Sequence, residues 1–213
     1  MTPVRLLAAL LSAAFFFLAP AQAGGESEKV VLALGDSLMA GYGLPPGVSF
    51  PAKLERWLRA QGIAATVVNS GVSGDTSTGG RERLAWSLDA FPPGQPHLVI
   101  LEFGANDMLR GLEPALTRAN LSAMLRELTA RNIKVILFGM RAAPNLGARY
   151  SEEFNSIFPE LARQYGTAFV PFYLEGVAGV SALNLEDGIH PNAAGLDIMV
   201  ENAGPAILEL LDD

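Results

Sequence analysis

No cysteine occurs anywhere in the 213-residue chain, which excludes disulfides and a lipid anchor on a modified cysteine. Histidine is nearly as scarce: His97 and His190 are the only two. A zinc site of the usual His/Cys type is therefore hard to assemble. Carboxylates alone leave Mg²⁺ or Ca²⁺ open, but no Asp-rich loop resembles an EF-hand, and neither metal nor cofactor is expected. Basic residues are the minority, 15 Lys and Arg against 22 Asp and Glu, for a net charge of −7. With no basic stripe, nucleic acid is not expected as a partner. Nor does the overall charge attract an anionic membrane surface. Linkers, internal repeats and low-complexity tracts are also missing after the first 23 residues.

Only one long apolar run is present. Leu6–Ala19 follows Arg5 and is followed by Ala21-Gln22-Ala23, the three parts of a secretory signal. The run is shorter than the roughly 20 residues that a membrane-spanning helix needs. The expectation is a signal peptide over 1–23, then one domain over 24–213 in the periplasm or secreted, monomeric and with no stable membrane span.

The rest of the chain alternates. Val30-Val31-Leu32-Ala33-Leu34 runs straight into Gly35-Asp36-Ser37-Leu38, as a strand buried on both faces would. Further strand-like runs are Ala65–Val68, His97–Gly104, Lys134–Met140 and Ala168–Tyr173. Helical stripes lie between them: Phe50, Leu54, Trp57 and Leu58; Leu84, Ala85 and Leu88; Leu121, Leu125 and Leu128; Phe154, Ile157, Phe158 and Leu161. Pro159 should kink or split its helix, and Pro205 should interrupt the last one. Alternation of this kind predicts an α/β fold, a parallel sheet with helices on both faces.

In such a sheet, ligands bind outside the carboxyl ends of the strands. Three polar clusters follow strand-like runs: Gly35-Asp36-Ser37, Gly71–Asp75 and Gly104–Asp107. A fourth, Asp187–His190, can join them if its loop folds over that edge. Serine acyl chemistry needs a hydroxyl, a base, a group orienting the base, and N–H donors for the oxyanion. Ser37, His190 and Asp187 can supply the first three. The Ser37 N–H, Gly74 and the Asn106 amide can supply donors. His97 begins a strand, so it belongs at the opposite edge with a structural role. Plainer readings exist for each residue: Ser37 as the cap of the next helix, Asp187-Gly188 as a turn, Asn192 as a cap, Gly74 as a turn glycine, Asn106 as a loop stabiliser. The joint occurrence of the set favours chemistry.

Gly35-Asp36-Ser37-Leu38, Ser73-Gly74-Asp75-Thr76-Ser77, Gly104-Ala105-Asn106-Asp107 and Asp187-Gly188-Ile189-His190-Pro191-Asn192 resemble, in order, the four blocks of the SGNH (GDSL) hydrolases. Gly35–Gly43, Ser73–Ser77 and Met108–Gly111 look most like the bacterial periplasmic thioesterase/arylesterase/lysophospholipase subgroup. Ala105 departs from it, standing where that subgroup often has a second glycine. The resemblance implies a flavodoxin-like three-layer α/β/α fold with five parallel strands ordered 2-1-3-4-5. It implies Ser37 as nucleophile, His190 as base and Asp187 as its orienter. Ser37, Gly74 and Asn106 would form the oxyanion hole. The implied activity is serine-dependent hydrolysis of esters and thioesters through an acyl-serine, with a small acyl ester, thioester or lysophospholipid as substrate. Ala142, Ala143, Pro144 and Leu146, after the fourth strand, are expected to line an acyl groove. A carbohydrate or peptidoglycan O-deacetylase on the same scaffold stays open. A silent lipid- or glycan-binding module fits less well, because Ser, His and Asp are all present.

Overall fold

Five of the seven residues of β1 (Lys29–Gly35) are apolar, and Val31–Leu34 are at most 1% exposed in the computed structural model, which describes residues 28–212. The signal segment expected over 1–23 lies outside the described residues. A strand apolar on both faces belongs in the middle of a sheet. β1 pairs in parallel with β2 (Ala65–Gly71), Val31 opposite Val67, and with β3 (Leu98–Glu102), Ala33 opposite Ile100. β4 (Lys134–Phe138) and β5 (Ala168–Val170) follow, giving the order β2-β1-β3-β4-β5. All pairings are parallel, so every strand delivers its carboxyl end to one rim.

Helix α1 (Ser37–Ala40) opens directly from β1, and α2 (Phe50–Ala60) returns toward β2. Ser49 caps α2, its hydroxyl accepting from Ala52 N, and the fully buried Phe50, Leu54 and Leu58 form its inner stripe. α3 (Ser77–Asp89), α5 (Pro114–Ala130) and α6 (Ala148–Tyr165) cover one face of the sheet. α2 and α7 (Ala193–Asp212) cover the other, as right-handed crossovers require. α4 (Ala105–Leu109) is a short helix at the rim, where the sequence pattern suggests only a loop.

Neither proline splits its helix. α6 runs unbroken through Pro159 and α7 through Pro205. An internal proline costs roughly 3 kcal/mol in a helix. Each of these helices buries several large apolar residues: Phe154, Ile157, Phe158 and Leu161 in α6; Leu196, Met199, Val200, Ile207 and Leu211 in α7. At about 1.5–3 kcal/mol for each buried side chain, packing outweighs the missing bond. β5 is also shorter than expected, because Pro171 follows Val170 and has no N–H for the ladder. His97 sits at the amino edge, where its N–H donates to Val30 O and its Nδ1 accepts from Val30 N, both at 2.8 Å. No helix among the described residues is long and apolar enough to cross a membrane.

Candidate active site

β1 ends at Gly35, and Asp36 turns the chain into α1. The Asp36 carboxylate caps that helix, accepting from Leu38 N at 3.0 Å. Ser37 is therefore the first helical residue, and its N–H has no acceptor inside the helix. Ser37 lines a cleft of about 360 Å³ at the carboxyl rim, together with Asn106 and His190.

Leu185–Asn192 forms the opposing loop. An isolated antiparallel bridge between Asn184 and Pro191 closes its base, and Leu185 N donates to His190 O at 2.8 Å. Inside it, Asp187 Oδ1 accepts from the N–H groups of Ile189 and His190 at 2.9 and 3.0 Å. Its Oδ2 lies 2.7 Å from His190 Nδ1. The backbone N–H of His190, then the imidazole, then the N–H of Ile189 draw the Asp187 carboxyl down to about 2. An ionised Asp187 requires the proton on Nδ1. Nε2 is then free to accept, and it lies 2.9 Å from Ser37 Oγ. The Tyr42 ring packs on the imidazole, centroids 4.4 Å apart.

Asn106 arrives from β3 through Gly104, whose φ of +124° favours glycine. Ala105 is the first residue of α4, a helical position in which its methyl is accommodated. One Asn106 N–H donates to Asp36 Oδ2 at 3.0 Å, which leaves the other free to point elsewhere. Asp107, next in the chain, is fully buried and takes the place of a helix cap for α3. It accepts from Ser77 N at 2.8 Å and from the hydroxyls of Ser77 and Thr117.

Gly74 sits in the turn after β2 with φ +81°, and its carbonyl accepts from Arg110. Arg83 fixes this corner: it donates to Asp75 Oδ2, Ser70 Oγ and Gly35 O at 2.8, 2.9 and 2.8 Å.

The structure thus brings Ser37, Asp187 and His190 into one hydrogen-bonded line, with Asn106 beside them. Ala142, Ala143 and Pro144 line the cleft with Met108, Met140 and Phe172. Leu146 is not a lining residue; it packs back against the core. Gly74 stands at the same rim without lining the cleft. Among the described residues, larger hollows of about 480, 500 and 430 Å³ contain none of these residues. Among the described residues, no group of three His, Asp or Glu could hold a metal ion. Sequence reasoning passed over Tyr42, Arg83, Glu102 and Asp107, whose partners lie far away in the chain.

A parallel 2-1-3-4-5 sheet with a serine, an imidazole and a carboxylate at its carboxyl rim is the architecture of a hydrolase acting on ester bonds. Comparison with known proteins narrows this class. The GDSL-like Lipase/Acylhydrolase family matches residues 33–198. Esterase TesA of Pseudomonas aeruginosa is 40% identical over 185 residues, 87% of this chain and 90% of that one. Thioesterase 1/protease 1/lysophospholipase L1 of Escherichia coli K12 is 37% identical over 84% of this chain and 83% of that one. The crystal structure of AlinE4, an SGNH-hydrolase family esterase, superposes with a TM-score of 0.73 at 50% identity, covering 87% of this chain and 97% of that one. The chain belongs to the GDSL-like lipase/acylhydrolase family.

Proposed function

We propose that this protein hydrolyses carboxylic esters and thioesters of apolar acyl chains in two steps through an acyl-serine. The observation that carries the reading is the geometry of His190, 2.9 Å from Ser37 Oγ on one side and 2.7 Å from Asp187 on the other, at the mouth of a cleft walled by apolar side chains. Ser37 Oγ attacks the carbonyl carbon as His190 Nε2 takes its proton. The imidazolium, steadied by Asp187, then protonates the departing alcohol or thiolate. Water, deprotonated by the same nitrogen, releases the acid. The N–H groups of Ser37 and Gly74 and the free N–H of Asn106 receive the negative charge that develops on the carbonyl oxygen.

Acyl chains lie along Met108, Met140, Ala142, Ala143 and Phe172 in this reading, which is why lysophospholipids and acyl thioesters join aryl esters as substrates. The relatives named as esterase and as thioesterase/lysophospholipase support that range. We further take 24–213 as a single secreted or periplasmic domain, monomeric, released from a signal peptide over 1–23. An acyl panel from acetyl to palmitoyl, with lysophospholipid, acyl thioester and acetylated sugar included, tests the reading. Turnover of medium or long acyl groups is expected; activity confined to sugar acetates would sink it.

Two further outcomes are expected. Asn106→Ala removes one oxyanion donor, and kcat falls roughly 10²- to 10³-fold; an unchanged kcat removes Asn106 from the site. Ala142→Trp fills the cleft wall, so the chain-length profile moves to shorter acyl groups while acetyl ester turnover persists. A profile that stays put takes this wall out of the acyl site.

A further inference from the structure

Two acids lie directly beneath the nucleophile, and the mechanism uses neither. Glu102 ends β3 and is 1% exposed; Asp36 follows β1 and is fully buried. Glu102 Oε2 accepts from Asp36 N at 3.1 Å, while Oε1 is a buried oxygen without a partner. That bond sets the two acids side by side, and the Asp36 carboxylate accepts in turn from Leu38 N and from Asn106 Nδ2, both at 3.0 Å. The packing is tight, since a Cβ at Gly35 would come within 2.5 Å of Glu102 Oε2.

Two bare carboxylates cannot face each other in such a place without a severe electrostatic penalty. Among the described residues no cation is paired with either acid. Arg83, from α3, gives its N–H groups to Asp75, Ser70 and the Gly35 carbonyl. Tyr173, after β5, donates its hydroxyl to Met39 sulfur and presents only a neutral phenol. His190, from the loop above, has its ring nitrogens engaged by Asp187 and Ser37. One proton between the two acids is the physical solution, and the deeper of them should hold it. Burial pushes Glu102 well up, and the charge on Asp36 adds to the rise. Asp36, which has the N–H of Leu38 and the amide of Asn106 as donors, is pushed only to about 6.

We propose that Glu102 is a positioning residue for the oxyanion donor: as the neutral acid it hydrogen-bonds the Asp36 carboxylate and accepts the Asp36 N–H, and Asp36 so held fixes the Asn106 amide. Asp36 then has three donors, from Leu38, Asn106 and Glu102, and only one direction is left for the second Asn106 N–H. The proposal rests on Asn106 serving the oxyanion, as set out above.

The test compares Glu102→Gln with Glu102→Leu on one chromogenic ester. Gln keeps an N–H donor toward Asp36 and an acceptor for its N–H, so kcat stays close to wild type. Leu keeps the volume and loses both, so kcat falls roughly 10- to 100-fold, as misplacement of a catalytic group does, with KM little changed. In an Asn106→Ala background, Glu102→Leu brings no further loss, because the group it positions is gone. Infrared spectra at neutral pH show a protonated carboxylic carbonyl in the wild type that Glu102→Gln abolishes and Asn106→Ala retains. Equal losses from Gln and Leu, wild-type kcat in the Leu variant, additive losses in the double variant, or no acid band would each overturn the proposal. The infrared and Gln arms stand even if the Leu variant fails to fold. Asn106→Ala alone tests the underlying oxyanion reading, so the two failures are told apart.

Discussion

Ser37→Ala is expected to fold as the parent does and to lose about 10⁵- to 10⁶-fold in kcat, the scale on which serine nucleophiles fail when deleted. The fold should survive because α1 is capped by Asp36, whose oxygen takes the Leu38 N–H, and the serine hydroxyl has no part in that cap. On the proposed mechanism the residual rate should still exceed that of water, since the N–H groups of residues 37 and 74 and the Asn106 amide, the proposed oxyanion donors, remain. A thermal melt and a p-nitrophenyl ester assay are sufficient. Near-parental turnover with an intact melt would remove Ser37 from the mechanism.

The second large effect is expected at Asp187→Asn, with a fall in kcat of about 10⁴-fold. Asn keeps an oxygen for the N–H groups of Ile189 and His190, so the loop holds its shape. Its NH₂ now faces Nδ1, which must become the acceptor; the ring proton moves to Nε2, and the base facing Ser37 is lost. The pH behaviour of the parent provides an independent check. Asp187 titrates near 2 in the folded protein against 3.8 for the ordinary side chain. A depressed carboxyl stabilises the fold above its unfolded value and loses that contribution as pH falls through its folded one. This part of the stability is therefore complete above about pH 4 and disappears between about 4 and 2. An acid limb of activity found above pH 4 would then have another origin. If Asp187→Asn moved that limb without lowering the plateau, orientation of the imidazole would not be its role.

Sequence carried the strands well because apolar runs as dense as Val31–Leu34 have few other places to go. The alternation of elements pointed to a parallel sheet, whereas the particular strand order came with the family resemblance. The prolines misled, since a local rule says nothing of how much a helix buries: Phe154 and Phe158 outweigh Pro159. Ser37, Asn106, Asp187 and His190 were legible because each stands in a short block with its own spacing. Glu102, Arg83 and Tyr42 were not. Glu102 looks like the polar end of a strand until Asp36, 66 residues away, is seen to donate to it. Arg83 looks like a solvated helix face until its reach to Gly35 O is known. Contacts of this kind are written in the topology rather than in any window of residues.

The loop closed by Asn184 and Pro191 carries both the carboxylate and the imidazole, while the hydroxyl belongs to the sheet. The relay therefore has a single joint at which it can come apart. Any opening of this one short turn would withdraw base and orienter together and leave the hydroxyl where the sheet holds it.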